Sequence, residues 1–77
     1  MEAVTQVNAR DDFQLELTFN TGEMRLFDAR PYLQKGVFKT LQQLDQFKQA
    51  YVDYDTVCWP GELDIAPETL YDKSVTR

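Results

Sequence analysis

Phe13-Gln14-Leu15-Glu16-Leu17-Thr18-Phe19-Asn20-Thr21-Gly22-Glu23-Met24-Arg25-Leu26-Phe27-Asp28 is the stretch that decides the fold class of this chain. Its first seven residues alternate apolar with polar. That period of two puts Phe13, Leu15, Leu17 and Phe19 on one face of a strand and Gln14, Glu16 and Thr18 on the other. Asn20-Thr21-Gly22 supplies a short loop in which glycine is free to adopt positive φ, so Glu23 to Asp28 should fold back as an antiparallel partner. Upstream, Ala3 to Ala9 is apolar and β-branched enough for one more strand, turning through Arg10-Asp11-Asp12 into the second. Val4 and Val7 differ in parity, which leaves the inward register of that strand open. Connections this short predict a three-stranded antiparallel meander.

Downstream, Arg30-Pro31-Tyr32-Leu33-Gln34-Lys35-Gly36 breaks the alternation, with Pro31 suited to starting a helical turn and Gly36 to ending one. Val37, Leu41, Leu44 and Lys48, or Phe38, Leu41, Leu44 and Phe47, then fall at helical spacing, which predicts one amphipathic helix or two short turns across the sheet. Tyr51 to Trp59 is rich in aromatic and β-branched residues, broken near Tyr54-Asp55, and reads as a second hairpin ending at the turn dipeptide Pro60-Gly61. Pro67 suits the first position of a short C-terminal helical turn whose dipole Glu68 complements. Asp64 is expected to cap that turn, because Ala66 has no side-chain acceptor. Asp72 to Arg77 are expected to fray. The expected fold is α+β: a three-stranded antiparallel meander, one or two short helices, a second β-hairpin and a short C-terminal helical turn, in a single domain over residues 1–77.

Composition narrows the function classes. The 77 residues leave room for one core, and a hydrophobic fraction of 43% argues against disorder. Cys58 is the only cysteine, so no intrachain disulfide or cysteine-based metal cluster can form, which points to a reducing compartment. The N-terminus lacks the basic and apolar regions of a signal peptide, and no apolar run is long enough for a membrane span, so a cytoplasmic location is expected. Histidine is absent, removing the commonest general base and neutral metal ligand. Gly22, Gly36 and Gly61 are isolated, so there is no phosphate-cradling loop.

The net charge of −5 is unevenly spread. Residues 1–40 carry six acids against five bases; residues 41–77 carry seven against three, and Gln49 to Asp72 holds six acids with no Lys or Arg. Such a segment repels phosphates, which argues against direct nucleic-acid binding, and would steer a basic protein partner toward it. Its acids are equally suited to keeping the chain soluble. Asp53 with Asp55, and Glu62 with Asp64, stand at i, i+2, a spacing that in a strand places both carboxylates on one face. Neither pair continues into a calcium loop, and acids near turns commonly serve backbone hydrogen bonding, so neither a metal, a cofactor nor catalysis is expected. Trp59 is read first as core and second as an anchor on a binding surface. The candidate partner-binding residues are thus Asp53, Asp55, Trp59, Glu62, Asp64 and Glu68. The alternative is a homo-oligomer formed through a hairpin edge or the Trp59 surface.

Phe13-x-Leu-x-Leu-x-Phe19, Gly22-Glu23, Phe27-Asp28, Gly36-Val37-Phe38, Leu41, Phe47, Val57-x-Trp59, and above all Trp59-Pro60 followed by Asp64-Ile65-Ala66-Pro67-Glu68-x-Leu70-Tyr71 carry a resemblance over nearly the whole chain. The sequence resembles the small bacterial family catalogued as domain of unknown function 2442. The resemblance implies a compact α+β domain, found alone or followed by a helix-turn-helix DNA-binding domain, and stand-alone members suspected of serving in toxin–antitoxin-like pairs. With this chain stopping at Arg77, any DNA-reading role would come through a partner. No catalytic residue is implied.

Overall fold

A computed structural model describes residues Met1 to Arg77. The meander is present: β1 (Val4–Ala9), β2 (Gln14–Phe19) and β3 (Met24–Asp28) pair antiparallel in chain order. The parity problem in β1 is resolved by a bulge. Val4 pairs with Phe19 and Gln6 with Thr18, so Thr5 is an extra residue in the strand. One inserted residue flips the alternation, and Val4, Val7 and Ala9 all pack on the core from one face.

The two hairpin loops close in the same way. In β2–β3, Gly22 N–H donates to the Phe19 carbonyl and Phe19 N–H to the Glu23 carbonyl, with Gly22 at φ 89°. In β1–β2, Phe13 N–H donates to the Arg10 carbonyl and Arg10 N–H to the Gln14 carbonyl, with Phe13 at φ 63°. Phe13 therefore occupies a left-handed position that usually favours glycine, and β2 begins one residue later than the alternation suggests. Its ring still reaches the core, 5.2 Å from that of Phe47.

The central segment forms short turns: 3-10 helical turns over Arg30–Tyr32 and Gly36–Gln42, then α1 (Leu44–Phe47). Leu41 and Phe47 are their buried contacts. The second hairpin, β4 (Tyr51–Asp53) and β5 (Thr56–Trp59), gains a third strand, β6 (Leu63–Ile65), after the Pro60-Gly61 turn. Asp64 is thus a strand residue. It does not cap α2 (Pro67–Lys73), whose N-cap is Ala66 with no side-chain hydrogen bond. Pro67 and Glu68 stand in the first turn as expected.

The chain end does not fray. Val75–Thr76 form β7, pairing with Leu26 and Arg25 at the edge of the first sheet, and Arg77 N–H donates to the Met24 carbonyl. The order is β1-β2-β3-β7 in one sheet and β4-β5-β6 in the other. A single cluster of 13 buried residues joins them, with Leu15, Leu17, Phe19 and Phe27 from the first sheet meeting Val57, Trp59 and Ile65 from the second. The radius of gyration, 11.2 Å, is close to the roughly 11.5 Å expected for one compact unit of this length.

Candidate functional site

The β4–β5 connection is a two-residue loop, Tyr54-Asp55, with both residues at positive φ (51° and 64°). That is the type I′ geometry, whose twist matches that of the flanking strands, here built without glycine or asparagine. Left-handed backbone costs about 1–2 kcal/mol per ordinary residue. Two hydrogen bonds hold it: Asp53 Oδ1 accepts from Tyr54 N–H at 3.0 Å, and the Asp55 carbonyl accepts from Val4 N–H at 2.9 Å, docking the loop on β1. Replacing Tyr54-Asp55 by Asn-Gly is expected to raise stability by about 1 kcal/mol, read as a higher urea midpoint at unchanged slope.

Register sorts the second sheet. Val52, Val57, Leu63 and Ile65 turn to the core, whereas Tyr51, Cys58 and Asp64 lie in one cross-strand row on the opposite face. Asp53 shares that face by alternation. Glu62, at φ 63° in the loop after Pro60-Gly61, joins them, and together these residues line a shallow depression with Tyr54. Tyr51 and Tyr54 are 45% and 88% exposed, so aromatic surface and carboxylates are offered side by side.

Of the six predicted residues, Asp53, Glu62 and Asp64 converge here. Asp55 stands at the loop tip, and Glu68 is exposed on α2 outside the depression. Trp59 must be withdrawn as a surface anchor: it is 1% exposed, and its indole Nε1–H donates to the Phe47 carbonyl at 2.9 Å. An indole so enclosed fixes α1 to the sheet and cannot meet a partner. Sequence reading did not single out Tyr51 and Tyr54. The Tyr-x-Asp-Tyr-Asp pattern contained them, but only the loop and register turned them outward.

Cys58 is buried between the carboxylates. Burial first, then the charges of Asp64 and Asp53, push its thiol above the ordinary range, and its Sγ contacts the Asp53 carbonyl at 3.6 Å. A thiol held neutral in this way is a poor nucleophile. Beside it, the Thr56 hydroxyl donates to the Ile65 carbonyl and ties β5 to β6.

The charge distribution is sharper in space than in sequence. Asp11, Asp12, Glu16, Glu23 and Asp28 all form ion pairs, with Lys48, Arg10, Arg25, Arg30 and Arg77 as their partners. None of the six acids from Asp53 to Asp72 does. No three side chains among the acids and Cys58 come together in a manner that could hold a metal ion. No helix is long and apolar enough to cross a membrane.

A second cluster, also unforeseen, sits where α2 meets the first sheet. Arg25 donates from Nε to Ser74 Oγ (2.7 Å), from Nη2 to the Ser74 carbonyl (2.9 Å) and from Nη1 to Glu23 Oε2 (3.1 Å), and its guanidinium lies 4.3 Å from the Tyr71 ring centre. Tyr71 Oη donates to Glu23 Oε1 at 2.8 Å, holding the Glu23 carboxyl below its usual range and the Tyr71 hydroxyl above its own. With four of the five Arg25 donors and the Tyr71 hydroxyl engaged within the molecule, this cluster joins β3, α2 and β7.

No curated protein and no solved structure shows significant similarity to this chain. A family model described as Protein of unknown function (DUF2442) does match, and it covers residues 4–76, from the first residue of β1 to the last of β7. A match across every strand and helix of the fold establishes membership: the chain belongs to the family Protein of unknown function (DUF2442).

Proposed function

We propose that this protein is a non-enzymatic interaction or regulatory module that docks a basic protein partner on the outward face of β4-β5-β6. The observation that carries this reading is the set of carboxylates at Asp53, Glu62 and Asp64, none in an internal ion pair, flanked by the exposed rings of Tyr51 and Tyr54. Paired acids have spent their charge within the molecule; unpaired ones extend a field to solvent that speeds and orients a cationic partner. Tyrosines add large contact area at low entropic cost and a face for arginine or lysine. The family resemblance brings an antitoxin-like form of this role, in which the partner is the basic member of a pair.

The test is affinity capture of tagged protein from lysate of its source organism, at low and moderate salt, beside a Glu62→Lys, Asp64→Lys double variant. Both positions are exposed, so the fold should survive. The expected result is a basic protein bound at low salt, lost as salt rises, and bound at least about ten-fold more weakly by the variant. Equal capture by the variant, or salt-independent capture, would sink the reading. Recovery of untagged copies alone would favour the homo-oligomer, for which the exposed Met24 and Val75 on β3 and β7 are the supporting surface.

A further inference from the structure

We infer that the cleft between the two 3-10 helical turns binds a small organic anion, a carboxylate or phosphate monoester carried on an apolar body. The cleft measures about 690 Å³ and is lined by Phe13, Arg30, Leu33, Gln34, Lys39 and Gln42. It is a shallow depression open to solvent, so a ligand would lie across it rather than be enclosed. Among the five depressions of the surface it is the only one lined by two cations and no carboxylate, in a chain whose net charge is −5.

The free valences of the lining fit an anion. Asp28 accepts from Arg30 Nε and Nη2, both at 2.9 Å, and from the Arg30 backbone N–H at 3.0 Å. The Asp28 carboxylate thereby orients the guanidinium and offsets its charge, so Lys39 is the cation with charge to spare, while Arg30 Nη1 keeps both of its hydrogens to donate. A held guanidinium loses less freedom on meeting an oxyanion than a mobile one. Lys39 takes part in no ion pair, whereas the neighbouring Lys35 is engaged over the Tyr32 ring at 5.4 Å. Gln42 Nε2 donates one hydrogen to the Leu33 carbonyl at 2.8 Å, which leaves its second hydrogen to donate to an oxyanion. Phe13 and Leu33 supply apolar surface for the body that bears the charge. The acidic face and this cleft use different residues, so the inference stands independently of the proposed protein partner.

Titration of the ¹⁵N-labelled protein with benzoate, phenyl phosphate and the neutral benzyl alcohol at low ionic strength tests it. Saturable shifts in the amides of residues 30–42 are expected with one or both anions, the stronger of the two identifying a carboxylate or a phosphate ester as the natural group. Arg30→Gln and Lys39→Gln, both at exposed positions, should each weaken anion binding by about five-fold or more and leave the spectrum of the free protein native-like. Benzyl alcohol binding as well as the anions, shifts lying outside residues 30–42, or wild-type affinity in both variants would overturn the inference.

Discussion

Replacing Phe47 by alanine is expected to leave the protein largely unfolded at room temperature. Phe47 is fully buried, its ring 5.2 Å from Phe13 and 6.0 Å from Trp59, and its carbonyl accepts the Trp59 indole hydrogen. It thus links the β1–β2 loop, α1 and the second sheet. Removing such a ring costs about 3–5 kcal/mol through lost transfer energy and the cavity left behind. A domain of this size rarely holds more than about 3–5 kcal/mol in total. Relaxation around the cavity is limited, because α1 is a single turn anchored by that same indole bond. Fluorescence of Trp59, the only tryptophan, reports the outcome directly: a red-shifted native spectrum and a urea midpoint moved toward zero. Val37→Ala, at a 69% exposed position in the preceding turn, should be silent. A Phe47→Ala protein with a wild-type midpoint would show that the shared core does not hold the two sheets together.

Arg25→Ala should produce the next largest loss, about 2 kcal/mol, concentrated at one end of the molecule. By register Arg25 stands opposite Leu17 on β2 and Thr76 on β7, on the core-facing side of β3. An alanine there leaves the buried Ser74 without its two bonds from the guanidinium and removes the cation from over Tyr71. β7 is two residues long and cannot hold the sheet edge on ladder bonds alone. Melting temperature should fall by roughly 10 °C, and amide exchange at residues 74–77 should rise ahead of that in β1 and β2. Arg25→Lys should recover only part of the loss, because an ammonium cannot reproduce a fork that bonds Ser74 and Glu23 together. Uniform acceleration of exchange across the first sheet, or none at all, would contradict a local role.

The proposed partner surface was partly legible. The absence of bases between Gln49 and Asp72 guaranteed that the acids there would go unpaired within their own segment, and the i, i+2 spacing of Glu62 and Asp64 placed them near one another. The first reading of Trp59, as core, holds, and the second, as an anchor, fails because a strand's alternation says which residues share a face and not which face is covered. The neighbours that cover it, Phe47 above all, lie on a segment with no strand periodicity of its own. Arg25 was unreadable for the complementary reason: a charged residue at an inward position signals either a strand end or a buried partner, and its partners at Ser74 and Tyr71 are 49 and 46 positions away.

By itself the sequence determined the meander, the Pro60-Gly61 turn, the Pro67 helix start and the acidity of the C-terminal half. Each follows from period, φ preference or charge count within a few residues. Only the tertiary structure decided the bulge at Thr5, the third strand beyond Pro60-Gly61, the return of Val75–Thr76 to β3, and the side on which Tyr51 and Tyr54 face solvent. Those features depend on contacts between distant segments. A two- or three-residue strand carries no periodic signal, and it forms because a partner strand and a waiting core make the pairing favourable.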